Sequence, residues 1–239
     1  MISIIVPTYN EEELLPACLE SVINEQESLQ LIVVDGASRD RTVQVARRYT
    51  NDLVALDQAD LPAQLNAGAA KAGGEILLFL HADSRLTPGC LSRIKEIPSR
   101  VIGGAFTMQL EGKRLHYRAL SAGGNLYCRL TRTYFGDRGI FVRAPVFNET
   151  GGFAPLPIMA DVEFSRRLKR FGKTVLLKGP VISSSRKFDR EGPLRNLSLV
   201  IYAILAFKLG ADPEMIKNKY YRLPGGKKAE RSNTDQKSG

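Results

Sequence analysis

Short apolar runs alternate with segments of helical spacing through the first hundred residues of the chain. Four continuous apolar runs predict strands at residues 3–8, 31–34, 53–56 and 76–80. The segments between them repeat apolar residues every three or four positions, the spacing of helices with one buried face. Buried strands that alternate with helices are typical of a parallel sheet covered on both faces. The pattern predicts an α/β fold with a mainly parallel, Rossmann-like central sheet.

Polar residues predict how two of these helices begin. Asn10 is a residue type that caps helices, and Glu13 completes a capping box with it. Thr87 and Pro88 predict a later helix in which the proline takes the first position. We therefore expect one helix to follow Asn10 directly and another to begin at Pro88.

The second half of the chain is less regular. The predicted strands cover residues 102–110, 139–143, 175–178 and 181–184. The predicted helices cover residues 113–131, with Gly123-Gly124 as a candidate break, and 162–171, which Gly172 closes. Residues 186–190 are predicted as a basic loop, and residues 197–209 form a segment that is apolar nearly all round.

The excess of basic residues is concentrated at the C-terminal end. The 239 residues carry a formal net charge of +9, and residues 217–239 supply +5 of it from seven basic and two acidic side chains. From residue 223 onward the composition is that of a disordered basic tail. The rest of the chain is only mildly basic and has neither an RNA-binding aromatic pattern nor a zinc-ligand spacing. We therefore expect no nucleic-acid partner.

The sequence also bears on the compartment. The chain opens directly on a strand-like run without a basic region before it, so we expect no signal peptide. No apolar stretch reaches the ~20 residues that span a bilayer. Cys18, Cys90 and Cys128 are an odd number without close spacing, which favours a reducing compartment. We predict a cytoplasmic protein.

Two interpretations of residues 197–209 stay open. The segment is flanked by Arg195 and the basic tail and contains Lys208, which suits a helix at the inner face of a membrane with anionic lipids. A helix packed on the sheet or against a second subunit would show the same apolar pattern. The sequence does not predict the oligomeric state.

Three acidic residues occupy positions that favour metal or substrate binding. Asp35 and Asp83 follow predicted parallel strands, and Asp161 opens a predicted helix. Ligands of such sheets bind beyond the carboxyl ends of the strands, and hydrated divalent cations prefer carboxylate oxygens. Asp is also a preferred helix cap, so spacing alone leaves a structural role for Asp35 and Asp161 equally open.

Six motifs, taken in order, resemble the large family 2 of inverting glycosyltransferases. The first three are Ser-Ile-Ile-Val-Pro-Thr-Tyr-Asn-Glu-Glu at 3–12, Val-Val-Asp-Gly-Ala-Ser-Arg-Asp-Arg-Thr at 33–42 and Phe-Leu-His-Ala-Asp-Ser at 79–84. The others are Gly-Asp-Arg-Gly-Ile-Phe-Val-Arg at 136–143, Gly-Gly-Phe at 151–153 and Asp-Val-Glu-Phe-Ser-Arg-Arg-Leu at 161–168. The second set is similar to a bacterial subgroup that includes proteins like the diaponeurosporenoate glycosyltransferase.

The resemblance implies a GT-A fold over residues 1–222, with a nucleotide-sugar-binding half at 1–100 and an acceptor-binding half at 101–222. It implies transfer of a sugar from a nucleotide-diphosphate donor, UDP before GDP, to an acceptor hydroxyl or carboxylate with inversion, assisted by Mn²⁺ or Mg²⁺. The acceptor is not named by the sequence, although a lipidic or acidic one is favoured. A non-catalytic sugar-nucleotide binder stays open as an alternative, whereas a nucleotidyltransferase would normally carry a glycine-rich turn after the first strand.

The same resemblance assigns roles to individual residues. Asp161 is the expected general base, and Asp83 is the expected metal ligand. The expected nucleotide-binding residues are Pro7, Thr8, Tyr9, Glu11, Asp35, Gln64 and Asn66. The residues expected at the acceptor or the diphosphate are Asp137, Arg138, Arg186 and Lys187.

The chain departs from the family pattern at four places. His81 replaces the first acid of the metal-binding motif, and Ala160 replaces the acid that usually precedes the base. Arg138 replaces a glutamine usual in the subgroup, and its guanidinium suits either a carboxylate or phosphate of an acceptor or a surface salt bridge. Residues 61–63 lack the arginine expected before Gln64.

Overall fold

The structure is a computed structural model that describes residues 1–25 and 27–221, except the side chains of Lys187, Arg190 and Glu191. The predicted tail at 223–239 therefore lies outside the described residues. The strands are β1 (Ile2–Thr8), β2 (Leu29–Asp35), β3 (Leu53–Ala55), β4 (Ile76–Phe79), β5 (Ser84–Arg85), β6 (Val101–Leu110), β7 (Ile140–Arg143) and β8 (Lys173–Ser183). The helices are α1 (Leu15–Ile23), α2 (Thr42–Ala46), α3 (Leu61–Lys71), α4 (Cys90–Lys95), α5 (Leu115–Thr131), α6 (Ala144–Thr150), α7 (Ala160–Leu168), α8 (Arg186–Glu191), α9 (Pro193–Lys208) and α10 (Pro213–Tyr220), with a 3₁₀ turn at Gly136–Arg138.

The strands form one sheet in the order β3-β2-β1-β4-β7-β6-β8-β5. The four N-terminal strands are mutually parallel, as the sequence predicts. β7 is antiparallel to both β4 and β6, and the two-residue β5 is antiparallel to β8. The predicted mainly parallel sheet is confirmed, and β7 joins its two parallel parts.

Each face of the sheet carries an apolar core because side chains of a strand alternate between faces. In β1, Ile4 and Val6 pack into a cluster with α1, α2 and α4. Ile5 packs into a second cluster with residues of α3, α5, α6 and α7. All three side chains are fully buried, so the sheet is covered on both faces.

Both predicted helix starts are wrong. α1 begins after Leu14 with no side-chain cap, and Asn10 has a left-handed φ of 53° and accepts the backbone N–H of Arg39 instead. α4 begins after Gly89 rather than at Pro88. The carboxylate of Glu25 accepts the N–H groups of Gly89 and Leu91, so a residue distant in sequence supplies the cap.

Three predictions in the second half also need correction. α5 is not broken at Gly123-Gly124 but runs through both glycines. The two strands predicted at 175–178 and 181–184 are parts of β8, and a register shift between β6 and β8 takes up the irregularity. The basic segment at 186–190 lies in a helix, α8, whose Asp189 accepts hydrogen bonds from Ser185 and Tyr117.

The predicted apolar segment at 197–209 lies largely in α9, which packs against α8 and α10. Leu194, Ile201 and Leu205 of this helix are exposed, while Ala203 and Ile204 are buried. Within residues 1–25 and 27–221, no helix has both the length and the apolar content needed to cross a membrane. α9 therefore has a buried side and an exposed apolar side.

Candidate functional site

The ends of β1 and β2 form one corner of the site. Thr8 and Asp35 pair in register as the last residues of the two strands. The Thr8 hydroxyl donates to Asp35 Oδ1 at 3.0 Å, and Ser38 donates its hydroxyl to Oδ1 at 2.6 Å and its N–H to Oδ2 at 2.9 Å. Asp35 is therefore fixed and buried, and Oδ2 retains capacity to accept a further donor.

Two residues that we did not single out from the sequence hold this corner together. Ser38 accepts the N–H of Asn10, and Asp40 accepts the N–H of Glu12 together with the hydroxyl and N–H of Thr42. These bonds join the loop after β1 to the loop after β2. Ser38 and Asp40 lie within the second motif. Their side-chain oxygens, close to Asp35 in the sequence, were the signal that could have identified them as acceptors of backbone N–H groups.

The other residues predicted at the nucleotide differ in how the structure places them. Tyr9 is 46% exposed just beyond β1, where it is free to meet a planar base, whereas Pro7 is buried within the strand. Gln64 is buried and donates to the carbonyl oxygens of Thr8 and Val34 at 2.8 and 2.9 Å, so its amide hydrogens hold the strand ends. Direct contact of Gln64 with the nucleotide stays a prediction.

Asn66 connects α3 to the loop before α7. Its side-chain amide exchanges two hydrogen bonds with the backbone of Phe153, each of 2.9 Å. The Gly152 backbone approaches it so closely that a Cβ there would lie 2.6 Å from Asn66 Oδ1. Asn66 thus positions the Gly-Gly-Phe motif at 151–153, and its contact with the nucleotide likewise stays a prediction.

Glu11 faces the C-terminal helices. Its carboxylate lies 3.3 Å from the guanidinium of Arg186 in α8, across 175 residues of sequence. Burial raises the pKa of Glu11, the positive charge of Arg186 opposes that rise, and the negative charge of Asp83 adds to it. Arg186 therefore reaches the corner formed by the ends of β1 and β2, while the side chain of Lys187 lies outside the described part of the structure.

A second corner gathers the acidic residues around His81. Asp161, in the first turn of α7, accepts the N–H of Gly136 and of Val162, both at 2.8 Å. Burial raises the pKa of Asp161, and these two N–H groups and His81 partly offset the rise. Gly136 packs so closely on His81 that a Cβ would lie 2.5 Å from the imidazole Nε2. The glycine is what allows the 3₁₀ turn to deliver its N–H to Asp161.

Asp137 and Arg138 complete this corner. Burial raises the pKa of Asp137, with Arg138 and His81 opposing the rise and Asp83 adding to it. Arg138 is only 2% exposed, and one of its terminal nitrogens donates to the side-chain oxygen of Asn125 in α5. The interpretation of Arg138 as a surface salt bridge is therefore wrong, because the side chain is buried.

Asp83 is the predicted metal ligand. Its side chain follows β4, and its Oδ1 lies 3.3 Å from the Ser84 hydroxyl. Within residues 1–25 and 27–221, no group of three or more His, Cys, Asp or Glu side chains is placed to hold a metal ion. A single carboxylate is compatible with Mg²⁺ or Mn²⁺ when substrate phosphates and water supply the other ligands. The residues present thus fit a metal that arrives with a diphosphate.

A cavity of about 440 Å³ opens beside the acidic corner. Its polar lining includes His81, Asp137, Arg138 and Asp161. The rest of the wall is largely apolar and comes from α3, α5, the loop before α7 and the C-terminal helices, including Leu65, Leu120, Phe153, Ile158, Phe188, Leu197 and Val200. Its volume lies within the range of small-molecule sites. The arrangement can hold a mainly apolar molecule with a polar end near Asp161.

The strand-end acids, the mainly parallel sheet and the adjoining cavity define an α/β protein with a candidate ligand site at the edge of its sheet. The chain belongs to glycosyl transferase family 2, whose family model matches residues 3–154. Its similarity to solved structures places it in the GT-A class of fold. The match ends before Asp161, so the assignment of that residue depends on the motif and the geometry.

Two curated relatives illustrate the family match. A PGL/p-HBAD biosynthesis glycosyltransferase of Mycobacterium bovis is 38% identical over 94 residues, which are 36% of each chain. A poly(ribitol-phosphate) beta-glucosyltransferase of Bacillus spizizenii is 31% identical over 102 residues, or 38% of this chain and 16% of that protein. The chain spans about a third of the length of the mycobacterial relative that it matches.

Two solved structures share the fold. The mannosyltransferase PcManGT from Pyrobaculum calidifontis, in complex with GDP-Man and Mn²⁺, gives a TM-score of 0.67 at 20% identity and covers 92% of this chain and 69% of that one. A fragment of S. aureus TarS in complex with UDP-GlcNAc gives 0.62 at 19% identity and covers 77% of this chain and 58% of that one. At this identity the similarity establishes the fold.

Proposed function

We propose that the chain transfers a sugar from a nucleotide-diphosphate donor to an acceptor group with inversion, with residues 1–100 binding the donor and residues 101–222 the acceptor. The observation that carries the proposal is the position of Asp161, held by two backbone N–H groups at the edge of an apolar cavity. The UDP-GlcNAc and GDP-Man of the two fold relatives support a nucleotide-sugar donor.

The proposed reaction is a single displacement. The acceptor oxygen forms a bond to the anomeric carbon as the bond from that carbon to the diphosphate oxygen breaks. The acceptor proton passes to Asp161, and the nucleoside diphosphate leaves with the bonding electrons. Burial raises the pKa of Asp161, which makes its carboxylate a stronger base than an exposed one. Attack opposite the leaving group inverts the anomeric centre.

Asp83 would hold the divalent metal together with the donor diphosphate, and the metal would neutralise charge on the leaving group. Arg186 is the candidate second cation at that diphosphate, since it already reaches Glu11 at the corner formed by the ends of β1 and β2. Thr8, Tyr9, Glu11 and Asp35 would surround the base and ribose. Hydrogen bonds from Gln64 and Asn66 support the proposed site by fixing the strand ends and the loop at Phe153.

The test is calorimetric titration of UDP and of GDP with and without Mn²⁺, on the wild type and on Asp83→Ala and Asp161→Asn. We expect one nucleotide to bind in a metal-dependent way, Asp83→Ala to abolish that dependence and Asp161→Asn to bind normally. With a sugar donor, Asp161→Asn should lower turnover by about 10²–10⁴-fold, the usual contribution of a general base. Metal-dependent binding with no turnover in the wild type would favour the non-catalytic alternative. No nucleotide binding at all would contradict the proposal.

We also propose that the protein lies at an anionic membrane surface through α9. Leu194, Ile201 and Leu205 are exposed at spacings of seven and four, so they share one side of that helix. Residues 217–239, which carry a net charge of +5, follow on the chain, and basic residues near anionic lipids contribute about 1 kcal/mol each. Sedimentation with phosphatidylglycerol vesicles, but not with phosphatidylcholine vesicles, is expected and should be lost in Ile201→Asp/Leu205→Asp. Equal binding to both vesicle types, or binding by the double variant, would contradict it.

A further inference from the structure

Two buried polar atoms without hydrogen-bond partners belong to neighbouring residues that line the cavity. In the described part of the chain, the buried side-chain atoms that lack a hydrogen bond are Asp137 Oδ1, Arg138 Nε and the hydroxyl of Tyr127. Asp137 and Arg138 both line the cavity, and Tyr127 stacks on Phe135, which also lines it. An unsatisfied buried group costs about 1–3 kcal/mol, so such a group in a native structure needs an explanation.

Arg138 is the most informative of the three. Its side chain is 98% buried, yet its partner within the described residues is the neutral amide oxygen of Asn125, and no carboxylate there lies within 4.0 Å of it. Asn125 is itself committed, because it exchanges two hydrogen bonds with the backbone of Met108. Buried charges in proteins are normally paired with an opposite charge. The guanidinium acts on the charge of the neighbouring Asp137 and lies over the Phe135 ring at 5.9 Å. Within the described residues its buried Nε donor has no hydrogen-bond partner.

The surroundings hold this guanidinium at the polar end of the cavity. A Cβ on Gly124 would lie 2.5 Å from the second terminal nitrogen of Arg138, so the α5 backbone packs directly against it. On the other side, the 3₁₀ turn that carries Arg138 also carries Gly136, whose N–H positions Asp161. The short turn that carries the cation therefore also holds the proposed base of α7, through the N–H of Gly136.

We propose that Arg138 binds an oxyanion, a carboxylate or a phosphate, on an otherwise apolar acceptor that occupies the cavity. This inference rests on the proposed function, because it names the acceptor class for the same site. The planar guanidinium matches the geometry of either oxyanion, and the apolar wall formed by α5 and the C-terminal helices accommodates the remaining hydrocarbon. An uncharged polar acceptor such as a simple sugar would leave both the cation and the apolar wall unsatisfied.

The experiment measures binding of three probes of equal chain length, decanoate, decyl phosphate and decanol, to the full chain without donor. We expect at least one of the two anions to bind about tenfold more tightly than decanol, or more, as a charge-assisted hydrogen bond would give. Arg138→Gln should abolish that preference. The anion preferred by the wild type identifies a carboxylate-bearing or a phosphate-bearing acceptor. Equal binding of decanol, or an anion preference that survives in Arg138→Gln, would overturn the proposal.

A second pair of variants keeps the charge of Arg138 and tests only its position. Gly124→Ala places a methyl group against the guanidinium, whereas Gly123→Ala, the neighbouring glycine of α5, meets no atom within 4 Å. We expect Gly124→Ala to lower the anion preference and Gly123→Ala to preserve it. An effect of the same size in both would overturn the placement of Arg138 at the anion. This pair also gives an answer if Arg138→Gln does not fold.

The nucleotide titration separates this inference from the proposed function. Arg138→Gln should bind UDP or GDP with unchanged affinity, because Arg138 is proposed to contact the acceptor. Arg129→Gln removes the same charge from an exposed position of α5 and serves as the control. If no nucleotide binds while the anion preference depends on Arg138, the donor chemistry fails and the oxyanion site stands. If nucleotide binds and the preference is absent, the oxyanion site fails alone.

Discussion

Asp137 differs from most carboxylates of the described residues because one of its oxygens is neither exposed to solvent nor hydrogen-bonded. Burial is the main cause that raises its pKa, and Arg138 only partly compensates. The charged form is therefore less favourable in the folded protein than in the unfolded chain. The charged Asp137 therefore lowers the stability of the folded protein at neutral pH. This is expected where a side chain is placed for binding rather than for stability.

Asp137→Asn is expected to stabilise the folded protein increasingly as pH rises. Between the ordinary value of 3.8 and the higher pKa of the folded state, the folded wild type binds more protons than the unfolded chain. Its free energy of unfolding therefore falls as pH rises through that window, and the asparagine variant lacks this loss. The melting temperature of variant minus wild type should increase from pH 4 to pH 8.

The control for this prediction is Asp57→Asn, which removes the same charge from an exposed side chain. An identical pH trend in the control would attribute the effect to net charge. A difference between Asp137→Asn and wild type that does not change with pH would contradict the burial of the charged carboxylate.

The helices and strands that sequence patterns predicted well are those whose boundaries depend on their own residues. β1 and β4 are buried apolar runs, predicted at 3–8 and 76–80, and they occur at Ile2–Thr8 and Ile76–Phe79. α4 was misplaced because its cap, Glu25, comes from a distant segment. α8 was predicted as a loop because Asp189, which anchors it, bonds to Tyr117 of α5. Local patterns cannot report contacts between distant segments.

α3 also shows how closely a helix must approach the sheet to hold the corner formed by the ends of β1 and β2. A Cβ on Gly68 would lie 2.3 Å from Cγ2 of Ile5 and 3.0 Å from Cγ2 of Val34. Both neighbours are fully buried and β-branched, so neither has room or rotamer freedom to move. The same close approach brings Gln64 to the carbonyl oxygens of Thr8 and Val34.

Gly68→Ala is expected to destabilise the protein although alanine favours a helix. Overpacking costs about 1–3 kcal/mol, whereas replacing a helical glycine by alanine gains about 0.5–1 kcal/mol. Gly123→Ala, on an open face of α5, should show the helix gain alone. The free energies of unfolding in urea for the two variants should therefore change in opposite directions. Stabilisation by Gly68→Ala would contradict the close packing of α3 on β1.

The candidate site as a whole is assembled from both halves of the chain, and its parts differ in how far sequence predicted them. The strand-end rule placed Asp35 and Asp83 at one edge of the sheet, and the motif resemblance added Asp161. The cavity, the burial of Arg138 and the reach of Arg186 to Glu11 depend on how α5 and α8–α10 fold back over the sheet. These distances arise only from the complete packing, so no motif reports them.

The contact between Arg186 and Glu11 predicts how that packing responds to the donor. An exposed ion pair contributes about 0–1 kcal/mol, so a diphosphate, with more charge than one carboxylate, can replace Glu11 as the partner of Arg186. Arg186→Gln should therefore weaken binding of the nucleoside diphosphate about tenfold, as expected for a charge-assisted hydrogen bond. Binding of the corresponding monophosphate should change little, because its single phosphate lies nearer the ribose.

Calorimetry of both nucleotides with Mn²⁺ measures this difference. Arg114→Gln is the matched control, because it removes an ion pair of 3.3 Å between Arg114 and Asp189 that holds α8 without reaching Glu11. We expect this control to leave the ratio of diphosphate to monophosphate affinity unchanged. If Arg186→Gln weakened the binding of both nucleotides equally, α8 would affect the contacts with base and ribose or the stability of the fold. In that case the distal phosphate would depend on other residues, and the contact with Glu11 would be structural.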